Sequence, residues 1–370
     1  MGRRLVVCCD GTWNVPDEVR AGVAAPTNVA KLALGVHTGQ DSGQLLFYEP
    51  GVGTSADEHL LGGGFGYGLS QNIRNCYRFL AERYVSGDEI YVFGFSRGAY
   101  TARSLAGLVH NCGILLAENA DRVDQAFAFY RDRTSQTHPS AVASQLFRQM
   151  YSHDDDHIHF IGVWDTVGAL GIPTGLLGSE EISKRYKGWE TLWGFHDTQL
   201  GSHVGFAYHA LAIDEEREPF KPTLWTRDNP VSGQTLEQVW FAGVHTEVGG
   251  GSADASLSDV ALLWMVERAR DCGLLFTSDH LELGAPDGVG GIISPDYAAP
   301  IVNSRRGMYD TMRAYHRLKE LPVSDAPDQS IASSAARRFN ERSDGYAPPG
   351  LGQYLSALPV TPVTGRALGH

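Results

Sequence analysis

No stretch of this chain approaches the roughly 20 consecutive apolar residues that carry a helix across a bilayer. Its first apolar run, Leu5 to Cys9, is too short for the hydrophobic segment of a signal peptide, so a cytoplasmic protein is expected. Positive charge is scarce as well. Thirty Lys and Arg stand against 43 Asp and Glu, a net charge of -13. No basic cluster offers the phosphate contacts from which nucleic-acid binders draw affinity, so nucleic acid is set aside as a partner. Cysteine is sparse and odd in number: Cys8, Cys9, Cys76, Cys112 and Cys272, with no CxxC pair. That excludes a disulfide framework and reads as reduced, mostly buried thiols. Cys8 and Cys9, as strand neighbours, face opposite ways and do not bond each other. Internal repeats and low-complexity tracts are absent too.

What is present is an alternation of short apolar runs with helical patterns. "RLVVCCD", "QLLFYEPGVGT", "GDEIYVFGFS", "HIHFIGVWDTVGAL" and "TLEQVWFAGVHTEVGGG" read as strands. "LSQNIRNCYRFLAERY", with Ser70 as N-cap, "RGAYTARSLAGLVHNCGIL", and "SLSDVALLWMVERARDCG", capped by Ser256 or Ser258, read as helices. Residues 119–150 look helical and peripheral. Strands that are apolar throughout need cover on both faces, which predicts an α/β fold: a mostly parallel twisted sheet flanked by helices, one domain over 1–370. The stretch 172–235 holds Trp189, Trp193, Phe195, Phe206, Tyr208 and Trp225 and is too long for a plain connector. It is expected to form a cap or substrate-binding insertion, with ordinary core as the competing reading. Residues 284–370, turn-rich with two short helices, are expected to pack on the core as a C-terminal extension.

Ligands of parallel sheets bind beyond the carboxyl ends of the strands. This sequence places Asp10, Ser96, Asp165 and His245 at those ends. In "YVFGFSRGAY" the serine sits in a G-x-S-x-G turn between strand and helix, where Gly94 and Gly98 permit the close approach that lifts a hydroxyl above the sheet. A free hydroxyl is a weak nucleophile and needs a base, itself oriented by an acid. Ser96, Asp165 and His245 supply the three roles in the chain order of an α/β-hydrolase. Asp214 competes for the acid role and His209 for the base. An oxyanion needs N–H donors; the Arg97 amide and those of Gly11 and Thr12 in "CCDGTWN" are the candidates, with Asp10 bracing that turn. Each residue also has a plainer reading: a helix-capping serine, turn aspartates, a structural histidine, an Asp-Gly turn. Two further motifs carry no site. "HDDDHIH" is read as a solvated acidic loop entering a strand, and "GGGFGYG", lacking both the G-x-G-x-x-G spacing and a following Lys-Ser/Thr, as a flexible pocket edge.

"CCDGTWN", "YEPGVGT", "GFSRGAYTAR", "GVWDTVGA", "HALAIDEER" and "VWFAGVHTEVGGG", with the weaker "NSRRGMY" and "RFNERSDGYAPPGL", together resemble the DUF2235 family of α/β-hydrolases. That family includes the type VI secretion phospholipase effectors of the Tle1 type. The resemblance implies a Ser–Asp–His hydrolase, with the roles falling on Ser96, Asp165 and His245. It also implies lipid or phospholipid acyl esters as substrate; the triad mechanism calls for no metal or organic cofactor, and peripheral contact with a membrane and export by a type VI-like route are compatible with the resemblance. Two rivals stay open: a small-molecule esterase or thioesterase, and a hydrolase fold that serves as a binding module with an idle triad.

Overall fold

The apolar runs pair side by side and in one direction. A computed structural model of the chain describes residues 2–11, 14, 19–20, 22–39, 41–52, 64–132, 134–168, 198–227, 230–277, 281, 293–321 and 328–363. In chain order the elements are β1 (Arg4–Cys9), the antiparallel pair β2 (Val19–Arg20) and β3 (Val23–Ala24), α1 (Asn28–Gly35), β4 (Gln44–Glu49), α2 (Gly64–Arg83), β5 (Glu89–Phe95), α3 (Arg97–Cys112), α4 (Val123–Arg131), α5 (Val142–Tyr151), β6 (Ile158–Trp164) and β7 (Val204–Ala212). They continue with β8 (Thr235–Phe241), α6 (His245–Gly249), α7 (Ser256–Asp271), α8 (Arg317–Glu320), β9 (Gln329–Ala332), α9 (Ser333–Glu341), α10 (Leu351–Ala357) and β10 (Val360–Thr361). The main sheet has the order β10-β9-β8-β7-β6-β5-β1-β4, and its strands pair parallel throughout. This is an α/β fold.

Strand alternation divides the core in two. Leu5, Val7 and Cys9 of β1 join Ile90 and Val92 under α2 and α3, while Val6 and Cys8 join Tyr91 and Phe93 under α1 and α7. Both faces of β1 and β5 are therefore covered, which is why these two segments are so largely apolar. The five cysteines are free, and Cys9 Sγ lies 3.6 Å from Cys76 Sγ between β1 and α2. No helix among the described residues is long and apolar enough to cross a membrane.

Several elements differ from the sequence expectation. The stretch expected as a cap contains β7, which lies inside the sheet between β6 and β8. Residues 204–212 are therefore sheet and not an insertion upon it. Phe206 and Tyr208 are strand residues, whereas Trp189, Trp193 and Phe195 lie outside the described residues. Helix α2 begins at Gly64, so Ser70 is inside it and not at its cap. Helix α7 has Ala255 at its cap position, and the Ser258 hydroxyl donates back to the Ala255 carbonyl at 2.9 Å. Beyond residue 284 the chain adds β9 and β10 to the sheet edge and α8 to α10 around it. In "HDDDHIH" the Asp155 carboxylate accepts the His157 N–H at 2.9 Å, forming a turn into β6, and the described residues hold no group of side chains fit for a metal.

Candidate active site

Three strand ends bring the site together. Ser96 follows β5 and stands at φ 57°, ψ -120°, with α3 starting at the next residue. A non-glycine residue held there costs about 1–3 kcal/mol, so the surroundings must enforce it. They do so by close backbone contact. A Cβ on Gly94 would lie 2.5 Å from the Gly98 carbonyl oxygen, and one on Gly98 only 2.1 Å from that of Cys9. The Ser96 N–H donates to Trp164 O at 3.1 Å, carrying the β5–β6 pairing one residue past the strand. Asp165, the residue after β6, is also at positive φ, 39°, and its N–H donates to Ala210 O at 2.7 Å. His245 opens α6 after β8. Its entry is fixed by Glu247, whose carboxylate accepts the Val244 N–H at 3.0 Å.

These ends place the three side chains in line. His245 Nε2 is 2.8 Å from Ser96 Oγ, and His245 Nδ1 is 2.5 Å from Asp165 Oδ2. All three are buried, at 5%, 3% and 0% exposure for Ser96, His245 and Asp165. The Nδ1 contact to a carboxylate fixes the tautomer: Nδ1 carries the proton and Nε2 accepts from the serine. Phe95 lies 4.7 Å from the imidazole by ring centroids, and Phe220 packs edge-on at 5.0 Å. The Arg217 guanidinium covers the outer face of Phe220 at 3.7 Å. Glu215 accepts the His245 backbone N–H at 3.3 Å and is held by Arg217 at 2.8 Å.

Asp165 is gripped from two sides. Ala212 N–H donates to Oδ1 at 3.0 Å, and the fully buried Arg317 donates Nη1 to Oδ1 at 2.6 Å and Nη2 to Oδ2 at 3.0 Å. Burial alone would push this carboxyl up. The Arg317 charge and the His245 hydrogen bond reverse that and hold it well below the usual carboxylate range. For His245 burial wins over the attraction of Asp165, and its pKa is lowered. The His245 imidazole is therefore neutral and able to take a proton at neutral pH.

The other expected residues fall in different places. Arg97 is the first residue of α3, and first-turn amides face outward along the helix axis, beside Ser96. The Gly11 N–H is engaged otherwise than expected. It donates to Asp10 Oδ1 at 2.6 Å, because the Asp10 side chain folds over its own turn. The same carboxylate also takes the Thr27 hydroxyl at 2.7 Å and the Tyr48 hydroxyl. Thr12 lies outside the described residues. His209 is a buried neighbour of the site and not in contact with Ser96. Its Nε2 accepts the Thr166 N–H at 3.2 Å, its Nδ1 meets Gln238 Oε1 at 3.3 Å, and burial pushes its pKa down to about 3. Asp214 accepts the Gly243 N–H at 2.7 Å and the Tyr346 hydroxyl at 3.0 Å, so it braces the turn before His245 and does not touch the ring. Sequence reasoning missed Arg317, Glu215 and Phe220. The "HALAIDEER" segment carried the signal for Glu215; "YHRLKE" carried none for Arg317. A cavity of about 600 Å³, walled in part by Arg103, His110, His203 and Trp225, runs along α3 away from these residues; Ser96, Asp165 and His245 are not among its walls.

Comparison with known proteins adds a family. The family model described as T6SS, phospholipase effector Tle1-like, catalytic domain matches residues 3–268. The uncharacterized protein YEL023C of Saccharomyces cerevisiae is 29% identical over 246 residues, 61% of this chain, and the chain spans 33% of that relative's length. Among solved structures, an uncharacterized protein from Pseudomonas aeruginosa is 18% identical with a TM-score of 0.44, covering 77% of this chain and 48% of that one. The Tle1 effector bound to the VgrG spike of the type 6 secretion system is 18% identical with a TM-score of 0.37, covering 68% of this chain and 51% of that one.

Proposed function

The chain belongs to the family of T6SS phospholipase effector Tle1-like catalytic domains, and on that premise we propose that it is a serine hydrolase of lipid acyl esters working through Ser96, His245 and Asp165. One observation carries the reading: the unbroken relay from Ser96 Oγ to His245 Nε2 at 2.8 Å and from Nδ1 to Asp165 at 2.5 Å. In acylation, Ser96 Oγ attacks the ester carbonyl while its proton passes to His245 Nε2. The carbonyl π pair moves onto oxygen, and the Arg97 amide at the helix start receives the charge. The Thr12 amide is the second proposed donor, since the Gly11 amide is spent on Asp10. Collapse expels the alcohol, which takes the Nε2 proton, and leaves an acyl-serine. Water, deprotonated by the same nitrogen, then cleaves it. The Asp165 carboxylate, low in pKa, stabilises the imidazolium formed in both steps.

A fluorophosphonate probe tests the nucleophile. Wild type is expected to label and Ser96→Ala to stay unlabelled, with intact-mass analysis locating the adduct; equal labelling of both removes Ser96 from the role. Rates on short and long acyl esters, with and without phospholipid vesicles, then sort a lipase from a soluble esterase.

A further inference from the structure

The relay has a fourth member, supplied by a segment 152 positions further along the chain and beyond the residues the family model matches. We propose that Arg317 is a positioning residue of the triad, fixing the Asp165 carboxylate in the plane that accepts the hydrogen bond from His245 Nδ1–H. The inference rests on the hydrolase reading above and adds a component to it.

Geometry carries the argument. A carboxylate held by one imidazole and one backbone N–H can swivel about its terminal torsion, which is soft. The Arg317 fork removes that freedom by meeting both oxygens, at 2.6 and 3.0 Å, in the bidentate arrangement that only a guanidinium offers. Each terminal nitrogen makes one further bond, Nη1 to Ala212 O at 2.8 Å and Nη2 to Phe220 O at 2.5 Å. Ala212 is the residue whose N–H also holds Asp165, and Phe220 is the ring packed on His245. One side chain thus ties the acid, the end of β7 and one wall of the base. Charge points the same way. A lone buried carboxylate would stabilise the imidazolium strongly and hold the base protonated; a carboxylate already paired to arginine does so less, leaving the imidazole free to accept. The molecule has a second buried pair, Lys31–Asp259 at 2.6 Å, which joins α1 to α7 and contacts none of the triad. Arg317 differs in that its partner is the triad acid.

The test uses the full chain with Arg317→Met and Arg317→Lys, read by ester turnover against pH and by NMR titration of the His245 imidazole. In Arg317→Met, kcat is expected to fall on the order of 10²-fold, the loss typical of a misplaced catalytic group. The acid limb of the profile should also move to higher pH, because activity requires neutral imidazole and the unpaired carboxylate raises its pKa. Arg317→Lys keeps a cation without the fork, so its limb should return toward wild type while its rate stays low. A folded Arg317→Met with wild-type rate and limb overturns the proposal, and so does a rate loss in Arg317→Met with the His245 titration unmoved, which is what a purely structural staple would give. Should Arg317→Met fail to fold, Arg317→Lys carries the test alone, and wild-type behaviour in it is fatal. The two readings fail separately. Absent Ser96 labelling sinks the hydrolase, whereas intact labelling with an unchanged His245 titration in Arg317→Met sinks only the role of Arg317.

Discussion

The two ends of the parallel sheet obey different rules. At the amino ends, Arg3 meets Asp88 at 2.7 Å with the arginine 42% exposed, and Arg4 reaches Glu89 at 3.5 Å. In each pair one partner stays open to water, which screens the attraction and keeps its contribution small. At the carboxyl ends the charges of Asp165 and Arg317 are wholly buried, and two non-glycine residues, Ser96 and Asp165, hold positive φ. Neither desolvated charge nor backbone strain helps a protein fold. Their coincidence at one end of the sheet marks where the fold gives up stability for chemistry.

Three measurements break or sharpen that contrast. The largest effect is expected from the base. His245→Ala should lower turnover by about 10⁴-fold or more, as losses within a triad do, whereas His209→Ala should leave most of the activity in whatever fraction folds. Turnover normalised to folded protein by circular dichroism decides between them, and the reverse order removes His245 from the role.

A middling effect belongs to Asp214, whose carboxyl partial burial pushes up from 3.8 to about 7. The folded state binds that proton more tightly than the unfolded chain. Its contribution is therefore present below pH 3.8 and lost as pH climbs through about 7. Asp214→Asn cannot ionise. Its melting temperature should gain on wild type between mildly acidic and mildly alkaline buffer, and a constant difference across that range would refute the assignment. The smallest effect lies at the amino ends. Arg3→Ala should cost less than about 1 kcal/mol in urea denaturation, and less still at high salt. A larger, salt-insensitive loss would mean that the two ends are not so different.

The sequence made some of this legible and hid the rest for physical reasons. Strands β1, β5 and β6 announce themselves because burial on both faces demands largely apolar runs, and β4 and β8 by the shorter apolar stretches inside them. Strand β7 does not, since "VGFAYHALA" carries a histidine inside and follows a long aromatic-rich stretch. Four-residue β9 and two-residue β10 are too short for any periodicity. Ser96 could be found because its strained turn requires small neighbours at 94 and 98, a local demand that leaves a local mark. Asp165 and His245 are singled out by their order and their places after strands, and the structure brings both side chains into line with Ser96. Arg317 is one of 30 cations, and nothing in the residues around it tells of a carboxylate 152 positions away. Gly11 misled because its turn does lie against the elbow, while the hydrogen bond that occupies its amide comes from the preceding side chain.

Phe95 and Phe220 clasp the imidazole from two sides, and Gly249 lets α6 press close, since any Cβ there would sit 1.9 Å from Phe95. A ring so clamped gives up its rotation once, when the chain folds, and no conformational search precedes each proton transfer. If the proposed hydrolase function holds, remodelling the site for a bulkier acyl group meets a mechanical limit: room gained by trimming Phe220 is taken from the rings that keep the His245 imidazole still.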